Sequence, residues 1–171
     1  GYLLVNEPLV RSTMEKAIKL GLKVALDLSN FNIVNAFKGM LEDIIPKYVD
    51  ILFSNESEAE AFTGQKAAEA VHTLSELVEV SLVTLGKEGA LIGSHGQFYS
   101  VPAEGGKPVD TTGAGDNFAA GFLYGQSIGA SLVQSARIGS MLAGYVIDVV
   151  GPEIPYDKWE QIKLKVKGIL A

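Results

Sequence analysis

The sequence predicts an α/β chain with a mostly parallel sheet and antiparallel strands added at one edge. Three observations carry that expectation. Apolar runs of strand length alternate with helix-periodic segments as far as Leu85, the pattern of a parallel sheet connected by helices. Two glycine turns then follow in quick succession, Gly86–Gly89 and Ser94-His95-Gly96, each flanked by strand-like residues. Last, the run Asp110-Thr111-Thr112-Gly113-Ala114-Gly115-Asp116 leads out of a polar stretch straight into a long apolar helix.

Taken in order, Tyr2–Val5 reads as a short apolar strand. Asn6-Glu7-Pro8 supplies a helix cap, an acidic first turn and an early proline. Val10, Met14, Ala17 and Ile18 recur at helical spacing until Gly21. Lys23–Leu28 is a strand, Ser29–Asn32 a polar loop, and Val34–Ile45 a helix stopped by Pro46. Val49–Phe53 is a third strand, followed by a helix over 56–62 ending near Gly64. A helix with Ala67, Ala70, Val71, Leu74, Leu77 and Val78 on one face comes next. Ser81–Leu85, Ala90–Gly93 and Gln97–Val101 are strands, and 102–109 is a Pro/Gly loop. Helices over 116–128 and Leu132–Val149 are apolar nearly all round, which predicts burial of both. Trp159, Ile162, Val166 and Ile169 stripe a final amphipathic helix.

Composition narrows the function classes. The chain is 47% hydrophobic with 19 glycines, the profile of a globular α/β protein of one-domain length. A net charge of −6 without a basic block argues against a nucleic-acid partner. There is no cysteine, so disulfides and thiolate metal sites are excluded and a reducing cytoplasm fits. No apolar run approaches the ~20 residues of a membrane helix, and no signal peptide is visible. His72 and His95 lack metal spacing and read as solvent-facing.

The chemistry concentrates in the late turn. N–H groups at a helix start lack intrahelical partners and carry partial positive charge. With Gly113, Ala114 and Gly115 there, no side chain blocks an approaching phosphate. A carboxylate inside such an anion site suits a general base, although dipole compensation would also explain Asp116. Asp110 and Thr112 also suit a turn held by local hydrogen bonds. Asn55 and Glu58 stand at i and i+3 of a strand-to-helix junction, the spacing of a capping box. Thr84, Gly86 and Gly89 suit a glycine turn between strands.

These segments resemble the ribokinase-like (PfkB) carbohydrate kinase family, which includes adenosine kinase. Asp110–Gly121 resembles its second signature, Asn55-Glu56-Ser57-Glu58 its N-x-x-E motif and Thr84–Gly89 its T-x-G-x-x-G nucleotide loop. The Gly151-Pro152 bend also fits, and Gly121-Phe122-Leu123-Tyr124-Gly125 is most similar to the adenosine kinase branch. The resemblance covers nearly the whole chain.

It implies a three-layer ribokinase-like fold and an ATP- and magnesium-dependent kinase acting on a hydroxyl of a sugar or nucleoside. Asp116 would be the catalytic base, with the N–H groups of Gly113, Ala114 and Gly115 as anion hole. Asn55, Thr84, Gly86, Gly89 and Gly115 would bind nucleotide. Glu58 would orient magnesium-bound water and Asn55 would touch phosphate or metal; Asp110 and Thr112 would ligate a potassium-like cation. Adenine would lie between loop 101–106 and helix 132–149, where the family often has an asparagine near Ser140 and this chain departs from that pattern.

The chain starts at a glycine, and family members are roughly twice as long. The expectation is therefore a C-terminal ATP-binding half over 1–171, lacking the acceptor half and lid and inactive alone. A homodimer is an expectation for the full-length protein. A non-catalytic nucleotide-binding module is the alternative. A Rossmann dehydrogenase or methyltransferase would place its glycine turn after the first strand.

Overall fold

The computed structural model describes residues 2–105 and 108–171. The chain divides into two compact units. One holds the residues up to Leu85 together with Leu91–Tyr99; the other holds Gly86–Ala90 and Ser100–Ala171. Among the described residues no helix is long and apolar enough to cross a membrane.

In the first unit the sheet begins with β1 (Ala25–Asp27), β2 (Ile51–Asn55) and β3 (Val80–Thr84), which pair in parallel. The full order continues through β4 (Ala90–Ser94) to β5 (Gln97–Val101). A two-residue turn joins the last two strands. Its His95 and Gly96 have φ of 48° and 75°, the left-handed pair of a tight hairpin, so β5 runs antiparallel to β4 as expected.

Register puts Leu52 beside Ser81 and Phe53 beside Leu82. Leu52, Phe53, Leu82 and Val83 are all buried, so both faces of these strands leave water, as a parallel sheet requires. Leu52 and Val83 join one apolar cluster with residues of α1 (Glu7–Lys19), α3 (Lys38–Tyr48), α4 (Glu56–Thr63) and α5 (Ala67–Ser75).

Several boundaries differ from expectation. Tyr2–Val5 is a 3₁₀ turn rather than a strand. The helix expected over Val34–Ile45 is two helices, α2 (Phe31–Ala36) and α3, and Pro46 lies inside the second. Proline forfeits one backbone hydrogen bond. Leu41, Ile44 and Ile45 are at most 1% exposed, and burying that stripe outweighs the lost bond.

In the second unit α6 (Ala114–Ser127), α7 (Leu132–Val146) and α8 (Trp159–Leu170) pack together. The α6–α7 contact is backbone against backbone. A methyl group on Gly121 would sit 2.7 Å from the Gly139 Cα, one on Gly139 2.5 Å from the Phe118 carbonyl, and one on Gly125 2.6 Å from the Ser135 hydroxyl. The Gln126 amide then donates to Ser135 Oγ at 2.8 Å. Burial of α6 is one-sided, contrary to expectation. Phe118, Gly121, Phe122 and Gly125 face inward, while Leu123, Tyr124 and the flanking Ile128 remain exposed. The second unit's apolar cluster joins Ile138, Met141, Leu142 and Val146 to Ile154, Ile162 and Ile169.

Replacing Gly139 by alanine should therefore destabilise the protein by about 1–3 kcal/mol, since the intruding methyl meets backbone that cannot rotate away. Urea denaturation of both proteins measures it.

Candidate functional site

The carboxyl ends of β1, β2 and β3 finish in Asp27, Asn55 and Thr84, with Asn55 and Thr84 in direct register. Ligands of open α/β sheets gather at this strand end. Here the chain places polar groups that cap and turn it.

Asn55 is the last residue of β2 and the N-cap of α4. Its Oδ1 accepts from the Glu58 N–H at 3.0 Å; its own N–H donates to Glu58 Oε2 at 2.8 Å and its Nδ2 to Oε1 at 2.7 Å. The capping box is closed, and both ends of the Asn55 amide are engaged with Glu58. Glu58 is only 5% exposed. Burial pushes its carboxyl above the usual range; the Asn55 N–H opposes this and the charge of Asp27 adds to it.

Asp27, the last residue of β1, accepts the Ser29 N–H at 2.6 Å, and its field reaches Glu58. Thirty-odd positions separate the two, and only the β1–β2 pairing brings their neighbourhoods together. Among the described residues no cluster of three or more histidines or carboxylates could hold a metal. Two carboxylates of like charge still suit a divalent ion that keeps most of its own water.

Thr84 is half-buried, and its hydroxyl donates to the Ser54 carbonyl at 3.4 Å. The turn after it belongs to the second unit. There the Gly89 N–H reaches the Gly86 carbonyl at 3.2 Å. Gly89 has φ of 100°, and a Cβ on it would lie 1.9 Å from the Val101 carbonyl, so only glycine fits.

The Asp110–Asp116 turn also lies wholly in the second unit. Asp110 Oδ1 accepts the Thr112 N–H at 2.9 Å and its hydroxyl at 2.7 Å; Oδ2 accepts the Gly151 N–H at 2.9 Å. The Gly151 N–H, and then Thr112, hold this carboxyl below the usual carboxylate range. That is the opposite of Glu58. The loop's link to Gly151 thus depends on an ionised group and weakens as pH falls through its lowered pKa.

Gly113 caps α6 with φ of 78°, and Asn117 Nδ2 donates back to its carbonyl at 2.9 Å. The helix starts at Ala114, two residues earlier than expected, which makes Asp116 its third residue. The Ala114 N–H bonds to the Thr111 carbonyl at 3.2 Å. The N–H groups of Gly115 and Asp116 meet no acceptor among the described residues, and the exposed Asp116 carboxylate meets no donor among them.

Beside the loop that follows β5, a cavity of about 460 Å³ is lined by Glu104, Gly105, Gly144, Tyr145, Lys158 and Lys165 among others. Loop 102–105 and α7 both border it, where the sequence expectation put adenine. Residue 106 of that expectation lies outside the described residues. His95 occupies the hairpin turn, and exposed His72 rests on Phe98 with ring centroids 3.6 Å apart.

The signature of the pfkB family of carbohydrate kinases matches residues 4–159. The chain belongs to that family. An adenosine kinase of Saccharomyces cerevisiae is 35% identical over 140 residues, covering 74% of this chain and 41% of the relative. An adenosine kinase of Schizophyllum commune is 30% identical over 96% of this chain and 53% of its own length. Among solved structures, the adenosine kinase of Sinorhizobium meliloti superposes with a TM-score of 0.85 at 31% identity, over 91% of this chain and 48% of that one. A probable sugar kinase of Rhizobium etli gives 0.84 at 33% identity, over 91% and 48%. The fold is thus the three-layer α/β architecture of ribokinase-like kinases. The chain spans about half the length of the relatives it matches.

The raised Glu58 carboxyl predicts a pH signature. Its contribution to stability is fully present below the unfolded-state pKa and is lost as pH rises through the higher folded value. Glu58→Gln mimics the neutral acid. Urea melts across pH 4–8 should show wild type losing stability relative to the variant as pH rises.

Proposed function

We propose that this chain carries the nucleotide-binding and catalytic part of an ATP-dependent kinase that phosphorylates a hydroxyl of a sugar or nucleoside. One observation carries the reading. The exposed Asp116 carboxylate stands in the first turn of α6, beside Gly115 and Asp116 N–H groups that no described residue engages. Acid and anion-binding donors on one helical turn suit a step that removes a proton while charge builds on a transferring phosphoryl group.

In this reading Asp116 takes the proton of the acceptor hydroxyl. The N–H groups at Gly113–Gly115 cradle phosphate, with Gly115 best placed because Ala114 is engaged by Thr111. Thr84, Gly86 and Gly89 lie along the nucleotide, and Asn55 supports Glu58. The Asp27–Glu58 pair would hold water on magnesium, which supplies charge neutralisation when bound with the nucleotide. Asp110 and Thr112 suit a potassium-like cation because Asp110 stays ionised; the loop they form is already tied to Gly151. The S. cerevisiae and S. commune relatives are adenosine kinases and a Lactococcus lactis relative is a ribokinase, so both acceptor classes stay within the proposal. Since the chain covers about half of such enzymes, we expect nucleotide binding with little turnover by the chain alone. A pure nucleotide-binding module would have no use for a free carboxylate at position 116.

Calorimetric titration of ATP with magnesium, with and without potassium, tests the reading. Binding that strengthens with potassium supports it; no binding by a chain that circular dichroism shows to be folded overturns it. Asp116→Asn should leave ATP affinity of this chain within about twofold and, assayed with the acceptor half present, cut phosphoryl transfer by about 10²–10⁴-fold. Transfer is followed as ADP release in the presence of adenosine or ribose.

A further inference from the structure

Ser140 sits mid-helix on α7 and is 5% exposed, yet its hydroxyl does not serve its own helix. It donates to the Pro102 carbonyl at 2.9 Å and accepts the Glu104 N–H at 2.9 Å. One short side chain thus grips two peptide groups of a loop that has no regular structure of its own.

The neighbouring turns of α7 reinforce the grip. Arg137 Nε lies 3.7 Å from a Glu104 carboxylate oxygen. Gly144 lets the loop lie on the helix, since a methyl there would stand 1.8 Å from the Glu104 carbonyl. The loop's other side faces the turn at Gly86–Gly89. A Cβ on Gly89 would meet the Val101 carbonyl at 1.9 Å, the Pro102 carbon at 2.7 Å and the Ala103 nitrogen at 2.8 Å. From Gly89 through 101–105 to α7 the contact is unbroken, and every residue in it belongs to the second unit.

We propose that Ser140 is a positioning residue for the nucleotide turn: by stapling Pro102 and Glu104 to α7 it fixes the surface against which Gly89 rests, and it does not itself read the base. This rests on the assignment of Gly86–Gly89 to nucleotide above. The chemistry excludes a base-reading role in the resting geometry, because the hydroxyl has one proton and spends it on Pro102. Of its two lone pairs one accepts the Glu104 N–H, and at 5% exposure the other has little access to a ligand. Selectivity among purine bases would then be independent of position 140, whereas affinity for all of them would depend on it.

The test compares wild type with Ser140→Ala and Ser140→Thr, the second retaining the hydroxyl. Amide hydrogen exchange is read at Glu104 and across Gly86–Ala90, and titrations with magnesium and ATP or GTP follow. In Ser140→Ala, exchange should rise at Glu104 and at Gly86–Ala90 with α8 unchanged, and ATP and GTP affinity should fall by the same factor, on the order of tenfold. Ser140→Thr should restore both. Three outcomes overturn the proposal: unchanged exchange at Gly86–Ala90 when Glu104 is released, unchanged affinity, or a shifted ATP-to-GTP ratio. If wild type binds neither nucleotide, the functional reading fails, and the exchange data alone still decide whether Ser140 holds the turn.

Discussion

The second unit rests on helices that touch through their backbones. Gly121 and Gly125 on α6 meet Gly139 and Ser135 on α7 with no space for a further methyl group. Axes this close fix the rotation of α6 about itself, and rotation decides where its first turn points. Asp116 is three residues past the capping Gly113, so a roll of the helix would turn its carboxylate and the first-turn N–H groups together to a new direction. The apolar stripe of α6 and its polar start are therefore one device: packing sets the angle and the terminus uses it.

Two carboxylates show how burial and donors sort otherwise similar side chains. Glu58 loses water and gains the Asp27 field, which shifts it toward the neutral acid. Asp110 keeps contact with solvent and gathers three donors, which favours the anion. The first loses stabilising effect as it ionises. The second is committed to holding its loop.

Much of this was legible in the sequence because it is local. The Asn55–Glu58 capping box, the Gly64 helix end, the His95-Gly96 hairpin and the glycine cap before α6 each involve residues within four positions, and their chemistry is written in residue type. What the sequence did not show needed distant partners. Pro46 looked like a stop because its cost is local, while the burial of Leu41, Ile44 and Ile45 that overrides it is tertiary. Tyr2–Val5 has strand-like residues but forms no ladder. The one-sided exposure of α6, the Asp27 field on Glu58 and the Ser140 grip on loop 102–104 all join residues far apart in the chain. Ser140 in particular carries no sequence signal, since a serine inside a buried helix is commonly spent on its own backbone.

The α6–α7 pair also has a kinetic meaning. Only Ile128–Ser131 separates the two helices, and the Ser131 capping box starts the second one without help from elsewhere. Contacts so near in sequence incur little loop-closure entropy and form early. The parallel pairing of β1 with β2 must instead wait for a two-helix crossover to bring Asp27 level with Phe53. Within this segment the slow pairing therefore involves elements that precede the fast one in sequence, so β1–β2 pairing would lag the α6–α7 contact.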